Sequence, residues 1–129
     1  MSIVFNPQVG LIIVPVEIEG PSGSAILQLA FDTGATKTLI NTGMLVALGY
    51  DPALSPNRIE ITTGSGIEFV PEVILHRMMA FDNERTFFPV LCHTLPPSAG
   101  VDGLLGLDFV RSKVLTIDFA AGIISVNEN

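Results

Sequence analysis

The chain has 129 residues, 48% of them hydrophobic and 15% charged, a balance that fits a compact globular protein without low-complexity tracts. At this length a chain typically buries about two-thirds of the surface its unfolded form exposes, enough for one core, so a single domain over residues 1–129 is expected. The formal net charge of -7, with six scattered basic residues, excludes a role built on gripping phosphate backbones, so neither nucleic acid nor an anionic membrane is an expected partner.

Read in chain order, short apolar and β-branched runs broken by glycine, proline and asparagine predict an all-β protein. No basic residue precedes Lys37, and the longest early apolar run, Leu11 to Val16, contains Pro15, so no signal peptide is expected. Leu11 to Ile18 and Ser24 to Phe31 read as the arms of a hairpin turned at Gly20-Pro21-Ser22-Gly23. After Leu39-Ile40, Asn41 or Thr42 can cap a short helix that runs through Leu48 and stops at Gly49. Strands are predicted near Ile59 to Thr63 and Ile67 to Leu75, then Met78 to Phe81, a turn at Asp82-Asn83, and Thr86 to Cys92. Pro96 to Gly100 is a loop. A second short helix from Leu107 to about Arg111 precedes strands over Val114 to Phe119 and Ile123 to Val126, joined at Ala120-Ala121-Gly122. No stretch approaches the roughly eighteen apolar residues of a membrane-spanning helix. The lone Cys92 fits a reducing compartment and reads as a buried apolar side chain, so a cytoplasmic location is expected. His76 and His93 have no metal-ligand spacing, and no metal site is predicted.

Three motifs carry chemistry. Phe31-Asp32-Thr33-Gly34-Ala35 places one carboxylate in a tight turn directly after a strand. Taken alone it reads as a turn in which an Asp side chain bonds its own backbone. Ile61-Thr62-Thr63-Gly64-Ser65-Gly66-Ile67 reads as a glycine-tipped hairpin. Val101-Asp102-Gly103-Leu104-Leu105-Gly106-Leu107-Asp108-Phe109 reads as a strand entering a helix. It lacks the Gly-Lys-Ser/Thr ending of a phosphate-binding loop, so nucleotide binding is not expected.

In this order and spacing, the three motifs resemble the retropepsin-like aspartic proteases, single-domain relatives of pepsin, over roughly Val9 to Val126. The resemblance implies an acid-protease fold, half of a closed-barrel enzyme with one or two short helices, and an aspartic endopeptidase with no cofactor. In such enzymes two carboxylates sharing one proton activate a water for attack on a peptide bond. This chain holds a single such turn, so the resemblance implies a homodimer in which Asp32 faces Asp32 of the partner. By the same resemblance Thr33 hydrogen-bonds across the dimer axis, Gly34 lets backbone approach the catalytic water, and Ala35 keeps the cleft floor open. Thr63, Gly64, Ser65 and Gly66 form a flap over an extended peptide substrate, with Gly64 and Gly66 supplying positive backbone dihedrals. Because Leu104 and Leu105 point in opposite directions along a strand, Leu104 is assigned to the substrate pocket and Leu105 to the core.

Where viral relatives carry an arginine after the second motif's glycine, this chain has Leu107, and the acid that would pair with it is absent. A Lys37–Asp108 ion pair is expected to brace the active-site loop instead. Asp102, on the same strand face as Leu104, is expected to let the site tolerate a basic substrate residue beside the scissile bond. Ile3-Val4-Phe5 and Ile123 to Val126 are candidates for an inter-subunit sheet. The competing reading is a catalytically silent retropepsin-fold module for dimerisation or peptide binding, because an intact motif does not guarantee activity.

Overall fold

The alternation of the sequence becomes a core most plainly in β2 (Ile13–Gly20) and β3 (Gly23–Phe31). Val14, Val16 and Ile18 point inward and are fully buried, Leu27 and Leu29 meet them from the facing strand, and Pro15, Glu19 and Ile26 stay exposed. In this computed structural model, which describes residues 1–128, the remaining strands are β1 (Ser2–Val4), β4 (Leu39–Asn41), β5 (Arg58–Thr63), β6 (Gly66–Ala80), β7 (Asn83–His93), β8 (Gly103–Leu105), β9 (Lys113–Asp118) and β10 (Ile123–Glu128). Two short helices, α1 (Thr42–Ala47) and α2 (Leu107–Val110), accompany them. The all-β expectation holds, with both predicted helices in place.

The large sheet runs β2-β3-β8-β4-β7-β6-β5, and β2 pairs again with β6 through Glu17–Met79, Ile18–Met78 and Glu19–Arg77. That last ladder closes six strands into a barrel. Its interior is filled by Val14, Val16, Ile18, Leu27, Leu29, Leu75, Met78 and Leu105, all wholly buried, and Phe109 packs into the same core. Where the β2–β6 ladder stops, the Tyr50 hydroxyl takes over. It donates to the Glu19 carbonyl at 2.6 Å and accepts the His76 N–H at 2.8 Å, so the seam gains a side-chain rung.

β6 is one continuous strand where the sequence predicted two. The apparent break at His76-Arg77 stays extended because Arg77 pairs with Thr86 on one side and Glu19 on the other, while its guanidinium reaches Glu17 and Glu84. Pro71, which has no N–H to give, sits where β6 leaves β5 and joins β7. The β6–β7 turn falls one residue earlier than predicted, at Phe81-Asp82, both with positive φ (53° and 57°). Burial of the Phe81 ring in the core offsets the cost of that conformation.

A second, three-stranded sheet, β1-β10-β9, packs Ile3, Ile117, Ile124 and Val126 against the barrel. The chain's own β1 therefore pairs with its own β10, Ser2 opposite Ser125. Among the described residues no helix is long and apolar enough to cross a membrane.

β8 is inserted between β3 and β4, parallel to one and antiparallel to the other. A Cβ added at Gly103 would lie 2.1 Å from the Leu39 carbonyl oxygen. Gly103→Ala is therefore expected to destabilise the fold by about 3 kcal/mol, the upper end for overpacking, read as a fall in the urea midpoint. A separate expectation concerns alkali. Burial raises the Tyr50 pKa above the ordinary tyrosine value of 10.0. The folded state thus holds the phenol proton more tightly than the unfolded chain, so its stability is full below pH 10 and declines as pH rises beyond it. Tyr50→Phe should flatten that alkaline decline in denaturation midpoints measured from pH 8 to 11.

Candidate active site

Residues 32–38 connect β3 to β4 and form the floor of a cleft of about 590 Å³. The loop cannot close directly, because β8 occupies the space between the two strands it joins, and so it is held open by hydrogen bonds to β8 and to the turn behind it. The Asp32 N–H donates to the Leu105 carbonyl at 3.0 Å, the Ala35 N–H to the Asp32 carbonyl at 3.1 Å, and the Leu107 N–H to the Ala35 carbonyl at 2.9 Å. Within the turn the Gly34 N–H donates to Asp32 Oδ1 at 2.8 Å, which orients the carboxylate and leaves Oδ2 free of that bond. Asp32 is half-buried, while Thr33 and Gly34 are exposed.

The brace beneath this loop differs from the expected one. Asp108 makes no ion pair with Lys37. Its Oδ2 accepts the Thr38 N–H at 2.9 Å and its Oδ1 accepts the Thr38 hydroxyl at 2.7 Å. The same hydroxyl oxygen accepts the Gly106 N–H at 3.1 Å. Thr38 is fully buried, so this network ties the loop to the start of α2 away from water, where charge-assisted hydrogen bonds are strong. Lys37 points the other way because residues alternate in direction on entering β4. Its ammonium meets Glu72 of β6 at 3.3 Å, at the cleft wall. Gly106 makes the close approach possible, since a Cβ there would stand 2.6 Å from the Lys37 carbonyl carbon.

The structure brings Asp32, Gly34, Ala35 and Leu104 together along the cleft, whereas Thr33 is exposed and does not line it. Leu104 lines the cleft and Leu105 is wholly buried, as the alternation required. The β5–β6 hairpin stands over the cleft, but its wall is made by Ile59 to Thr62, whereas Thr63, Gly64, Ser65 and Gly66 form the tip beyond it. Of the two tip glycines only Gly66 has positive φ, at 121°; the turn is instead held by the Thr63 hydroxyl, which donates to the Gly66 carbonyl and accepts the Ser65 N–H. Asp102 is not in the cleft. Its Oδ2 accepts the Gln28 N–H at 2.8 Å, fixing β8 beside β3, so the expectation of a basic substrate residue is withdrawn. Sequence reasoning missed Leu39, Ile59, Ile61 and Leu91, which with Val70, Leu95 and Leu104 form a small apolar cluster at the cleft.

The family model described as "gag-polyprotein putative aspartyl protease" matches residues 14–112, most of the chain and every element of the cleft. This chain belongs to the retropepsin-like aspartic proteases. The fold agrees. A retropepsin-like aspartic protease from Rickettsia conorii superposes with a TM-score of 0.75 at 17% identity, covering 99% of this chain and 89% of that one. The retroviral protease-like domain of Ddi1 from Leishmania major superposes with a TM-score of 0.60 at 16% identity, covering 95% and 92%. Among curated proteins none matches the sequence.

The two braces are expected to differ sharply in worth. Thr38→Val removes a buried hydroxyl and strands both Asp108 Oδ1 and the Gly106 N–H, a loss of about 2–3 kcal/mol. Lys37→Met removes a partly exposed ion pair and should cost no more than about 1 kcal/mol. Chemical denaturation of the two variants side by side checks the order.

Proposed function

We propose that this chain is an aspartic endopeptidase that works as a homodimer, with the whole chain as one retropepsin-like domain. The observation that carries the reading is the Asp32 carboxylate, oriented by Gly34 on the floor of an apolar cleft and backed by a loop that buried hydrogen bonds hold rigid. A lone ionised carboxylate of ordinary acidity is a weak base. Two that share a proton supply both a base for water and an acid for the carbonyl oxygen, and the chain contains one Asp-Thr-Gly turn. A twofold axis beside residues 32–34 supplies the second.

In this reading the water sits between Asp32 and its symmetry mate. One carboxylate takes a proton from the water as its oxygen attacks the peptide carbon, and the protonated carboxyl gives its proton to the carbonyl oxygen. Collapse of the tetrahedral intermediate passes a proton to the departing amine and restores the shared-proton pair. Thr33, exposed at the edge of the turn, bonds across the axis, and Gly34 and Ala35 leave room for substrate backbone. The substrate is an extended polypeptide with an apolar side chain seated among Leu39, Ile59, Ile61, Leu91 and Leu104, and the β5–β6 hairpin acts as the flap, its tip from Thr63 to Gly66 closing over the peptide.

Asp32→Asn keeps the shape of the turn and removes the titrating group. It is expected to lower kcat by at least about a thousandfold on a denatured-protein or peptide-library substrate between pH 4 and 7, while retaining peptide binding. Excess Asp32→Asn chain mixed with wild type should suppress activity by forming mixed dimers, and specific activity should fall on dilution. Peptide binding by the wild type with no cleavage across that pH range would make the chain a binding module instead.

A further inference from the structure

The β5–β6 hairpin is joined to the barrel by few groups. β5 pairs only with β6, and the outer half of β6, Gly66 to Pro71, pairs only with β5. Its apolar attachment is Ile59, Ile61 and Val70 against the cluster of Leu39, Leu91, Leu95 and Leu104. Among the described residues, a single polar side-chain contact links residues 58–69 to the rest of the protein. His93 Nε2, at the end of β7, lies 3.7 Å from Glu68 Oε2.

We propose that His93 and Glu68 form a proton-operated latch that holds the hairpin down on the cleft. A neutral imidazole 3.7 Å from a carboxylate makes at most a weak contact, whereas an imidazolium at that distance makes an ion pair. The pair is charged on both sides only where the histidine is protonated while the glutamate is ionised, and histidine is the side chain type whose charge changes most readily as neutral solution is acidified. The latch therefore engages on acidification and releases as pH rises through the histidine range.

Among the described residues, the other charged groups on this face are Glu72, in register with Leu91 two residues before His93, and Lys37, whose ammonium already holds the Glu72 carboxylate at 3.3 Å. On β4, the residue in register with His93 is the uncharged Asn41. Thr42 of α1 and Thr94, joined hydroxyl to hydroxyl, are also uncharged. Asp102, whose carbonyl bonds the Asn41 N–H, turns its carboxylate to the Gln28 N–H. On the hairpin itself Ile61 is paired with Glu68 and shares its face, so Arg58 and Glu60 fall on the opposite face. His76, the other histidine, stacks edge-on against Tyr50 at the barrel seam, away from the hairpin. The side chains of His93 and Glu68 are 29% and 47% exposed, so water screens the pair and a modest gain is expected.

The latch is a property of the chain whether or not it cleaves peptides; only its consequence, substrate held more firmly at acidic pH, rests on the peptidase reading. The test is amide hydrogen exchange of residues 60–69 at pH 5.5 and 7.5, corrected for intrinsic rates, on the full chain carrying Asp32→Asn so that self-cleavage plays no part. The expected result is about two- to fivefold more protection at pH 5.5, lost in both His93→Gln and Glu68→Gln and kept in His76→Gln. Ile61→Ala should lower protection equally at both pH values. Equal protection at the two pH values, or a pH dependence that survives His93→Gln, overturns the latch and leaves the Asp32 chemistry to stand or fall on its own assay.

Discussion

The loop that bears Asp32 has its shape because a third strand passes between its two ends. β8 lies with its backbone against β3 on one side and β4 on the other, a contact that Gly103 allows, and Gly106 just after it lets the chain approach the loop at Ala35 and Lys37. From that packing follow the wide loop, its hydrogen bonds to Leu105 and Leu107, and the buried Thr38 that locks it to Asp108. The carboxylate is thereby presented from a rigid base, which is what a site that must hold reacting groups within a fraction of an ångström needs.

The division of labour around the cleft follows from burial. Groups that fix geometry, namely Thr38, Asp108 and the glycines, lie behind the loop where water is excluded and hydrogen bonds keep their strength. Groups that meet solvent, Lys37 with Glu72 and His93 with Glu68, sit on the walls and the hairpin, where ion pairs are weak enough to be made and broken. The floor is stiff and the roof is loosely attached.

Much of this was legible in the chain. Alternation placed β2, β3 and the Leu104/Leu105 division correctly, and the Asp-Thr-Gly turn stood out from an ordinary turn only because two further motifs follow it in the family's order and spacing. The failures have physical causes. Lys37 and Asp108 have opposite charges at a plausible spacing, but pairing by charge ignores direction: residues 37 and 38 point oppositely, and the polar but uncharged Thr38 faces inward. Asp102 shares a strand face with Leu104, yet its carboxylate is claimed by a free backbone N–H on the neighbouring strand. The apolar cleft wall was hidden because Leu39, Ile59, Ile61 and Leu91 come from separate strands, and nothing in any one stretch distinguishes a pocket leucine from a core leucine. The two predicted pieces of β6 merged because Arg77 is satisfied by acids on both adjacent strands, information that local hydropathy does not contain.

The pairing of β1 with β10 places Ser2 beside Ser125, 123 positions along the chain. β8 likewise reaches its partner β3 across a long intervening stretch, with Asp102 and Gln28 bonded over 74 positions. Neither ladder can begin before its later strand, β10 or β8, is present, and each closes a large loop whose entropy must be lost before contacts repay it. Such a topology belongs with the slow end of small-protein folding, and on the ribosome the floor of the cleft cannot be assembled until the segment beyond Gly106 has emerged.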